Sequence, residues 1–536
     1  MLLCVLPRKT LCMAFPKVVI RPRRSMAFFA LLSIVMVVGT YIFVILLAAA
    51  CVYLPYLVIS SMETPDVRLI LLFLFGIVIA GAMLWSLLPR RDKFKAPGML
   101  LDCESQPRLF AELESIASSL EEPMPREVYL IGDVNAWVAD RGGFMGFGSR
   151  RVMGLGLPLL AILTVSQFRA VLAHEFAHYY GGDTSLGPWV HKTQRAMVRI
   201  FENIGSVSEL ARIAILGIMY TVVATLMKWY FQLFLRAINL ASRQREYRAD
   251  ELACLIAGRQ PLIDGLRAIH GADMAWPAYW NSEVSPVLSD GGLPGIGEGF
   301  ARFIAVPSID EQISKNIHRQ LQETKQNPYD THPPLRDRIE AVEKLESAFV
   351  AEDAHPARHL LEHIERTELH FLEAANPDMK AGTLQLVSWD EVAEKVTLPA
   401  WKKFTQEYAS ALEGVTAGAL PDQIPKLLQV GSKMRDPKGM LLGPEQRTQR
   451  AAFFFGAALA LALVERGWKI NLQPGILELS APSDSTNIFP LFEQMMSGKL
   501  SAQGWIAKCQ QLGIADVELS SLNVQQMELL NPKTTS

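Results

Sequence analysis

The stretch Ala173-His-Glu-Phe-Ala-His178 is the most informative part of this chain. Thr164-Val-Ser-Gln167, shortly before it, has the spacing of a helix capping box, and the run from Phe168 to Tyr180 is predicted to be helical. In a helix, His174 and His178 lie one turn apart on the same face, where both imidazoles can reach one ion at about 2.0–2.1 Å. The sequence therefore predicts a metal site on this helix.

Glu175 directly follows the first imidazole. From that position it cannot easily bind the same ion, but it can take a proton from a water molecule that the ion polarises. Zinc lowers the pKa of such a water from 15.7 to about 7, and a nearby carboxylate then makes it a nucleophile at neutral pH. Peptide hydrolysis is the reaction that this arrangement serves, so Glu175 is predicted to be the general base.

The five-residue pattern also arises by chance. Paired histidines on a helix often bond to neighbouring carbonyl groups rather than to a metal. The apolar run Ala170-Val-Leu-Ala173 favours the metal interpretation. It would bury one side of the helix and hold the two histidines rigidly.

A catalytic zinc ion needs a third protein ligand and an open position. Glu246 and Asp250 are four residues apart in a helical stretch from Ser242 to Ala253, so they share a face. One carboxylate could bind the metal while the other accepts the free N–H of a ligating histidine. On spacing alone, a solvent-facing helix with Arg–Glu pairs is the favoured interpretation, and the residues themselves leave the third ligand open.

Three stretches in order resemble metallopeptidase family forty-eight, the gluzincin family of HtpX-like and CAAX prenyl endopeptidase-like zinc proteases. They are Ala173 to Asp183, Ser242 to Asp250 and Thr331 to Ile339. The resemblance covers residues 100 to 345. It implies one Zn²⁺ per chain, with Glu246 as the third metal ligand and Asp250 as the partner of a ligating histidine.

The same resemblance implies that His332 and Arg338 line the active site. An imidazole donor and a cation suit the developing oxyanion of peptide hydrolysis, so both are predicted to be catalytic. The alternative for His332 is a turn residue ahead of two prolines.

A short strand ahead of the motif is implied to be an edge strand that binds extended substrate through backbone pairing. The predicted substrate-binding residues are Asn135, Ala136, Trp137 and Val138. A plain sheet strand with Trp137 in the core is an equally supported alternative.

Two apolar runs lie near the start of the chain. No charged residue occurs from Ser25 to Met62, and Leu69 to Leu88 is a second uncharged run. Since a bilayer core about 30 Å thick needs roughly 20 apolar residues of helix, transmembrane helices are predicted at 26–60 and 69–88. The first run is far longer than the apolar region of a cleavable signal.

The cations that flank these runs predict their orientation. Residues 1–25 contain six Lys or Arg and no acid, and four more cations fall within residues 90–95. Lys and Arg stay on the cytoplasmic side, so 1–25 is predicted to be a basic cytoplasmic tail and the catalytic domain cytoplasmic. The predicted location is a bacterial inner membrane. An acid-free, Arg-bearing leader also describes a mitochondrial presequence, which leaves an organellar inner membrane as the alternative.

A third apolar segment occurs between Val207 and Leu240. Its charge-free part, Ile213 to Met227, has 15 residues, which is short for a membrane span. A single crossing would also put the two halves of the metal site on opposite sides of the membrane. A helix packed in the core or lying on the membrane surface is therefore favoured, and a partial or hairpin insertion is left open.

The predicted fold is mainly α with a small β-sheet (α+β). A gluzincin-type metallopeptidase domain at 95–350 follows the two transmembrane helices, and a mostly helical C-terminal domain of unknown role occupies 351–536. Within these, Ser285 to Gly299 is predicted to be a loop, either a lid or a surface connection, because it is rich in Gly, Pro and Ser. Ala451 to Val464 is predicted to be a buried helix, and residues 468–479 a β-hairpin.

The predicted function is a membrane-anchored zinc endopeptidase that cuts polypeptides, membrane proteins among them, in the quality control that the resemblance suggests. The chain has 52 Lys and Arg against 54 Asp and Glu, so its charge does not indicate a nucleic-acid partner. The alternative is a non-enzymatic membrane scaffold with a structural zinc site, which would have no use for Glu175.

His355, His359 and His363 also recur at four-residue spacing. No Glu follows any of these histidines as a base, and Pro356 breaks the first turn. A solvated helical face is favoured there over a second metal site.

Overall fold

The computed structural model describes most of the chain between residues 24 and 520. The residues outside the description are 1–23, 65, 91–92, 144–147, 180–186, 207, 209–212, 323–326, 328, 347–349, 377–383, 435–441, 483 and 521–536. Nearly all of the predicted basic tail at 1–25 lies outside the described residues, and so does the Gly181-Gly182 pair that follows the histidine motif.

Helices dominate the fold. In chain order they are α1 (Arg24–Ser60), α2 (Val67–Leu87), α3 (Pro107–Ser119), α4 (Leu157–Ile162), α5 (Val165–Ala177), α6 (Gly187–Ser206), α7 (Ala214–Ala257), α8 (Arg259–Tyr279), α9 (Ser285–Ser289), α10 (Ile296–Ile304), α11 (Pro307–Gln322), α12 (Leu335–Glu343), α13 (Ile364–Ala375), α14 (Trp389–Val392), α15 (Leu398–Glu407), α16 (Leu427–Ser432), α17 (Pro444–Glu465), α18 (Ile488–Met496) and α19 (Ala502–Gln511).

Nine short strands accompany them. They are β1 (Met99–Leu101), β2 (Glu127–Ile131), β3 (Ala136–Arg141), β4 (Arg150–Gly156), β5 (Gly292–Pro294), β6 (Gln385–Val387), β7 (Lys469–Gln473), β8 (Ile476–Ala481) and β9 (Asp484–Thr486). They form a four-stranded sheet in the order β1-β2-β4-β3, a parallel pair β5-β6 and a three-stranded sheet β7-β8-β9. The predicted fold class, mainly α with small sheets, is confirmed.

The chain divides into two compact units. The first comprises residues 1–274 and 312–375, and the second comprises 275–311 and 376–536. This division differs from a boundary at residue 350, because the segment after 350 packs back onto the first unit. There His355 O accepts a hydrogen bond from Val165 N at 2.8 Å, and Ala357 N donates to Leu163 O at 2.8 Å.

Four of the described helices are long and apolar enough to cross a membrane: α1, α2, α7 and α17. The first two coincide with the predicted transmembrane helices. The fourth, α17, is mostly buried at the centre of the second unit, where residues such as Phe454 and Leu459 are fully buried, in agreement with the predicted buried helix.

The first half of helix α7 is not enclosed in a core, which was one of the two arrangements that the sequence favoured. Large apolar side chains along its first half are exposed, with Ile218 at 67% and Trp229 at 59%. Its inner face packs beside α1 and α2, where the rings of Phe43 and Tyr230 stack at 4.3 Å. The first half of α7 therefore lies along the two apolar N-terminal helices and, like them, exposes large apolar side chains.

Helix α6 packs against the same apolar helices and leads the chain towards α7. Its Arg199 and Asn203 bond Ser86 at the end of α2, and its Ile200 and Ile204 join the same core as α1, α2 and α7. The chain therefore enters this helical cluster along α6 and returns along α7. The partial or hairpin insertion that the sequence left open is compatible with this arrangement and stays a prediction.

Helix α5 is built as predicted. Thr164 Oγ1 accepts a hydrogen bond from Gln167 N at 3.2 Å, and Gln167 Oε1 accepts one from Thr164 N at 3.0 Å, which completes the capping box. Nearly every residue of α5 is buried, including Phe168 and Phe176. This packing fixes the direction in which its histidines point.

Strand β3 forms the edge of the four-stranded sheet, as predicted for residues 135–138. It pairs only with β4 among the described strands, with Trp137 opposite Gly154. The Trp137 ring lies so close to Gly154 that a Cβ there would meet it at 2.5 Å. The strand thus has a free edge and also anchors Trp137 by packing.

The second unit corrects one prediction. Residues 285–299 are not a loop, because α9, β5 and the start of α10 occupy them. Trp389 Nε1 donates to Gly295 O at 2.7 Å, and Tyr279 Oη donates to Ile296 O at 2.8 Å. These bonds come from residues distant in sequence, so the local composition does not reveal them. The predicted hairpin is confirmed as β7 and β8.

Gly76 on α2 permits the close approach of α1, and this gives a test of the membrane helices. A Cβ at Gly76 would lie 2.1 Å from Cys51 O, whereas a Cβ at Gly81 on the same helix would meet nothing within 4 Å. We expect Gly76→Ala to destabilise the protein by about 1–3 kcal/mol through overpacking. Thermal unfolding in detergent measures this, and Gly81→Ala is the matched control. Equal melting temperatures for the two variants would contradict the packing described here.

Candidate metal centre

His174 and His178 stand at the C-terminal end of α5. Their Nε2 atoms are 3.2 Å apart, and the two rings meet edge to face with centroids 4.7 Å apart. His174 is buried, while His178 is half-buried. Two imidazole nitrogens therefore converge on one point at the surface of a rigid helix.

Glu246 reaches the same point from α7. Its Oε2 atom lies 3.4 Å from His174 Nε2, and its Oε1 atom lies 3.5 Å from His178 Nε2. Ligands about 2.0–2.1 Å from a tetrahedral zinc ion are separated by roughly 3.3–3.4 Å. The spacings in this structure, 3.2 to 3.5 Å, match that geometry.

Asp250 lies behind His174, one turn further along α7. Its Oδ1 atom is 2.9 Å from His174 Nδ1, and the residue is only 1% exposed. An Nδ1–H group that donates to this carboxylate leaves Nε2 free to bind a metal. The structure thus brings Asp250 to the position that the family resemblance implies.

Arg338 on α12 closes the cluster. Its guanidinium donates twice to Asp250, Nη2 to Oδ1 at 2.6 Å and Nε to Oδ2 at 2.9 Å, and its Nη1 is 3.7 Å from Glu246 Oε2. Arg338 is buried. Its side chain therefore holds the two carboxylates of α7 in position.

His332 lies on the outer side of the centre. Its Nδ1 atom is 2.9 Å from Glu246 Oε2, and 64% of its side chain is exposed. The sequence placed His332 at the site together with Arg338, and the structure brings both to Glu246. The two residues differ in exposure, because His332 faces solvent while Arg338 is buried.

Burial and charge set the protonation of the α5 groups. Burial opposes the protonation of His174, but its bonds to Asp250 and Glu246 outweigh this and raise its pKa to about 10. Burial and the neighbouring His174 lower the pKa of His178 to about 3. The two carboxylates of α7 therefore attract a positive charge to this point, which a proton or a metal cation can supply.

Burial also raises the pKa of Glu175 to about 7. One oxygen of this side chain lies within 4.8 Å of the ligand nitrogens of His174 and His178. A carboxylate with a pKa near neutrality, beside a metal site, can both accept and release a proton at physiological pH.

The donor set fits a zinc ion. Two imidazole nitrogens and one carboxylate oxygen are the ligands of many catalytic zinc sites, which leave one position open. Glu246 Oε2 supports this fit, because it is buried and lacks a well-aligned hydrogen bond to any described residue. A cation at this point would satisfy it.

The edge strand lies next to α5, and one contact between them was not predicted. Tyr179, directly after the second histidine, donates its hydroxyl to Val138 O at 2.9 Å. Its ring lies under the guanidinium of Arg151 at 4.1 Å. An aromatic residue after a histidine motif carries no local signal for this bond, because its partner is a backbone group 41 residues away.

The second histidine cluster does not form a metal site in the described part of the chain. His355 Nδ1 lies 2.8 Å from Asp353, and His363 adopts a left-handed backbone conformation with φ of 48°. Within the described residues, His355, His359 and His363 are not brought together as His174, Glu175 and His178 are.

A model of known protein families matches residues 104–346 of this chain to Peptidase family M48. This match spans all three motifs and both helices of the metal centre. This segment, a little under half of the chain, belongs to peptidase family M48. Members of the family are zinc-dependent metallopeptidases in general, and the His–Glu–His group lies inside the matched segment.

Curated relatives of this M48 chain include several proteins named Protease HtpX. The protein of Xylella fastidiosa (strain 9a5c) is 28% identical over 166 residues, which are 29% of this chain and 55% of that protein. The protein of Psychrobacter sp. (strain PRwf-1) is 27% identical over 202 residues, which are 37% of this chain and 57% of that protein. The match thus spans little more than half the length of these relatives. No solved structure matches the chain significantly.

Removal of the α7 carboxylate should empty the centre. We expect Glu246→Gln to lower the zinc content of the purified full chain from about one ion per chain towards zero after dialysis, because two imidazoles alone do not complete the site. Elemental analysis by mass spectrometry measures this. Glu251→Gln on the same helix, where Glu251 pairs with Arg248 at 2.8 Å, is the matched control and should keep its zinc. Retention of zinc by the Glu246 variant would show that this carboxylate is not a ligand.

Asp250 should affect the metal without touching it. We expect Asp250→Asn to weaken zinc binding by about 10- to 100-fold, because His174 and Arg338 both lose their carboxylate partner. Competition with a chelator of known affinity measures the change. Asp264→Asn, at a half-exposed position of α8, serves as the comparison. If both variants hold zinc as the unmodified protein does, Asp250 does not orient His174.

Proposed function

We propose that this protein is a membrane-anchored zinc endopeptidase that hydrolyses peptide bonds, with Glu175 as the general base. The observation that carries the proposal is the convergence of His174, His178 and Glu246 within 3.2 to 3.5 Å of one another, with Glu175 beside them. A purely structural site uses four protein ligands, whereas this group offers three and an adjacent base.

His174, His178 and Glu246 would hold the zinc ion, and Asp250 would fix the orientation of His174. When bound, zinc supplies Lewis acidity that polarises a carbonyl oxygen and makes water more acidic. The remaining work falls to groups of the chain itself, which move the proton and position the peptide.

Glu175 would transfer the proton. Its carboxylate takes a proton from the attacking water and later delivers it to the nitrogen of the departing amine, which needs a group that exchanges protons near neutral pH. Burial raises its pKa to about 7, which places it in that range.

His332 suits direct contact with the substrate better than Arg338 does. It is exposed and stands at Glu246, so its imidazole can donate to the oxyanion that develops during peptide hydrolysis. Arg338 is buried and bonded twice to Asp250, so we assign it a positioning role.

The free edge of β3 would bind the substrate as an added strand. Asn135 O accepts from Gly156 N, so the backbone groups of Ala136 and Val138 point away from β4. Backbone pairing of this kind gives affinity with little sequence preference. Tyr179 already occupies Val138 O, so a bound strand would pair with the remaining edge groups of residues 135–138 or displace that hydroxyl.

The membrane helices would bring the site to its substrates. Helices α1, α2 and α7 would anchor the protein in a bacterial inner membrane, and the cations that flank the first two would keep the peptidase unit in the cytoplasm. Polypeptides at the membrane surface, including damaged membrane proteins, are the proposed substrates.

Glu175→Gln tests the proposal against a scaffold with structural zinc. We expect this variant to retain zinc and to lose at least about 100-fold in its rate of casein cleavage, because a general base contributes roughly 10²–10⁴-fold. The measurements are zinc content and initial rates for the full chain in detergent.

The exposed Glu340, a partner of Arg336 on α12, provides a matched control. Glu340→Gln should cleave casein at the rate of the unmodified protein. Full activity in the Glu175 variant would remove the proposed mechanism. Absence of activity in the unmodified zinc-loaded protein towards any tested polypeptide would favour the scaffold.

A further inference from the structure

A cavity separate from the metal centre lies in the first unit, where the chain leaves α2. Its volume is about 540 Å³, and none of the proposed metal ligands lines it. Its described walls come from Tyr41 of α1, from the end of α2 and the residues after it, from the end of β3 with Gly142 and Ser149, and from α6 between Trp189 and Arg199. The metal centre does not account for this cavity.

The walls of the cavity are strongly cationic. Among the described residues, seven lining side chains are Lys or Arg, and one carboxylate, that of Asp140, accompanies them. Arg90, Lys93 and Lys95 come from the segment after α2 and form no ion pair with any described residue. Such a concentration of positive charge costs electrostatic energy that an anion would relieve.

Two of the cations are held in place by the fold. Arg199 donates to Ser86 O through Nη2 at 2.8 Å and through Nε at 3.3 Å. The guanidinium of Arg141 lies over the ring of Phe94, 5.3 Å from its centre. A bound anion would therefore meet side chains that are already ordered, which reduces the entropic cost of binding.

The cavity lies at the end of a membrane helix. The last apolar residues of that region, Trp85 and Leu88, are 63% and 50% exposed, and Arg90 follows two residues later. Tyr41 and Trp189, the two aromatic residues that line the cavity, belong to the class enriched where a bilayer meets water. The phosphate groups of the lipids occupy that level of a membrane.

We propose that this cavity binds the phosphate headgroup of an anionic phospholipid. Arg and Lys bind phosphate oxygens through charge-assisted hydrogen bonds, and basic pockets between membrane helices are suited to lipid headgroups. The acyl chains would lie against the exposed apolar surface around Trp85 and Leu88. A soluble phosphate shares the headgroup chemistry but gains nothing from that surface.

The site would connect the lipid to the edge strand. Asp140 and Arg141 both line the cavity and are the last two residues of β3, three and four positions after Trp137. The bound headgroup would thus hold the end of this strand at the membrane surface. Lipid binding itself does not rest on proteolysis, so its test remains separate from that of the peptidase activity.

The test is a titration of the full chain in detergent with short-chain phosphatidylglycerol, short-chain phosphatidylcholine and inorganic phosphate, followed by native mass spectrometry. We expect one phosphatidylglycerol to bind in preference to the other two. The double variant Lys93→Gln, Arg195→Gln should bind it about twenty- to thirty-fold more weakly, because each cation near a lipid surface increases affinity roughly five-fold.

Arg267→Gln combined with Arg319→Gln, at exposed positions outside the cavity, is the matched control and should bind phosphatidylglycerol like the unmodified chain. If the double variant of the cavity fails to fold, as judged by its melting temperature, Lys93→Gln alone should weaken binding about five-fold.

Three results would overturn the proposal. Equal affinity for phosphatidylcholine and phosphatidylglycerol would show that the cationic walls do not select the headgroup. Equal affinity for inorganic phosphate would assign the cavity to a soluble anion. Displacement of phosphatidylglycerol by a glutamate-rich peptide at lower concentration would assign it to an acidic polypeptide.

Discussion

The meeting of α5 and α7 is the constraint on which the peptidase unit depends. One helix carries both imidazoles, and the other carries Glu246 and Asp250, so a shift of either helix by one turn would separate the ligands. Several interactions fix their register. The capping box and the buried face hold α5, while the bidentate Arg338–Asp250 pair ties α12 to α7.

Buried charge is tolerated here because it is balanced. Asp250 and Arg338 are among the least exposed charged residues of the described chain, and each satisfies the other through two hydrogen bonds. Removing one partner from such a pair leaves an uncompensated buried charge, which costs about 3–5 kcal/mol. Glu246 lies near His332 and Arg338, at 2.9 Å and 3.7 Å, but it has no bidentate partner, and its Oε2 atom lacks a well-aligned hydrogen bond. A cation between Glu246 and the two imidazoles of α5 would complete its interactions.

Local signals in the sequence predicted the parts of this structure that depend on neighbours along the chain. The capping box at Thr164 and the β7-β8 hairpin follow from residues within a few positions of one another. The metal ligands on α5 also follow from local spacing, but Glu246 needed the family resemblance. Residues 285–299 and the Tyr179–Val138 bond depend on distant partners, which composition and periodicity do not encode. The first half of α7 was interpreted from the length of its charge-free run, which does not reveal that its large apolar side chains are exposed in the fold.

Because α7 is continuous, it fixes the axial distance between its exposed apolar half and Glu246. Its 44 residues contain no proline, so the helix is about 66 Å long, and a single rigid rod joins the lipid-facing part to the metal ligand. Leu240, the last large exposed apolar residue on that rod, lies six positions before Glu246, an axial distance of about 9 Å. An extended chain covers that distance in about three residues. Under the proposed function, a polypeptide that leaves the bilayer beside α7 would come level with the metal centre within a few residues, so its juxtamembrane residues would be the ones within reach of cleavage.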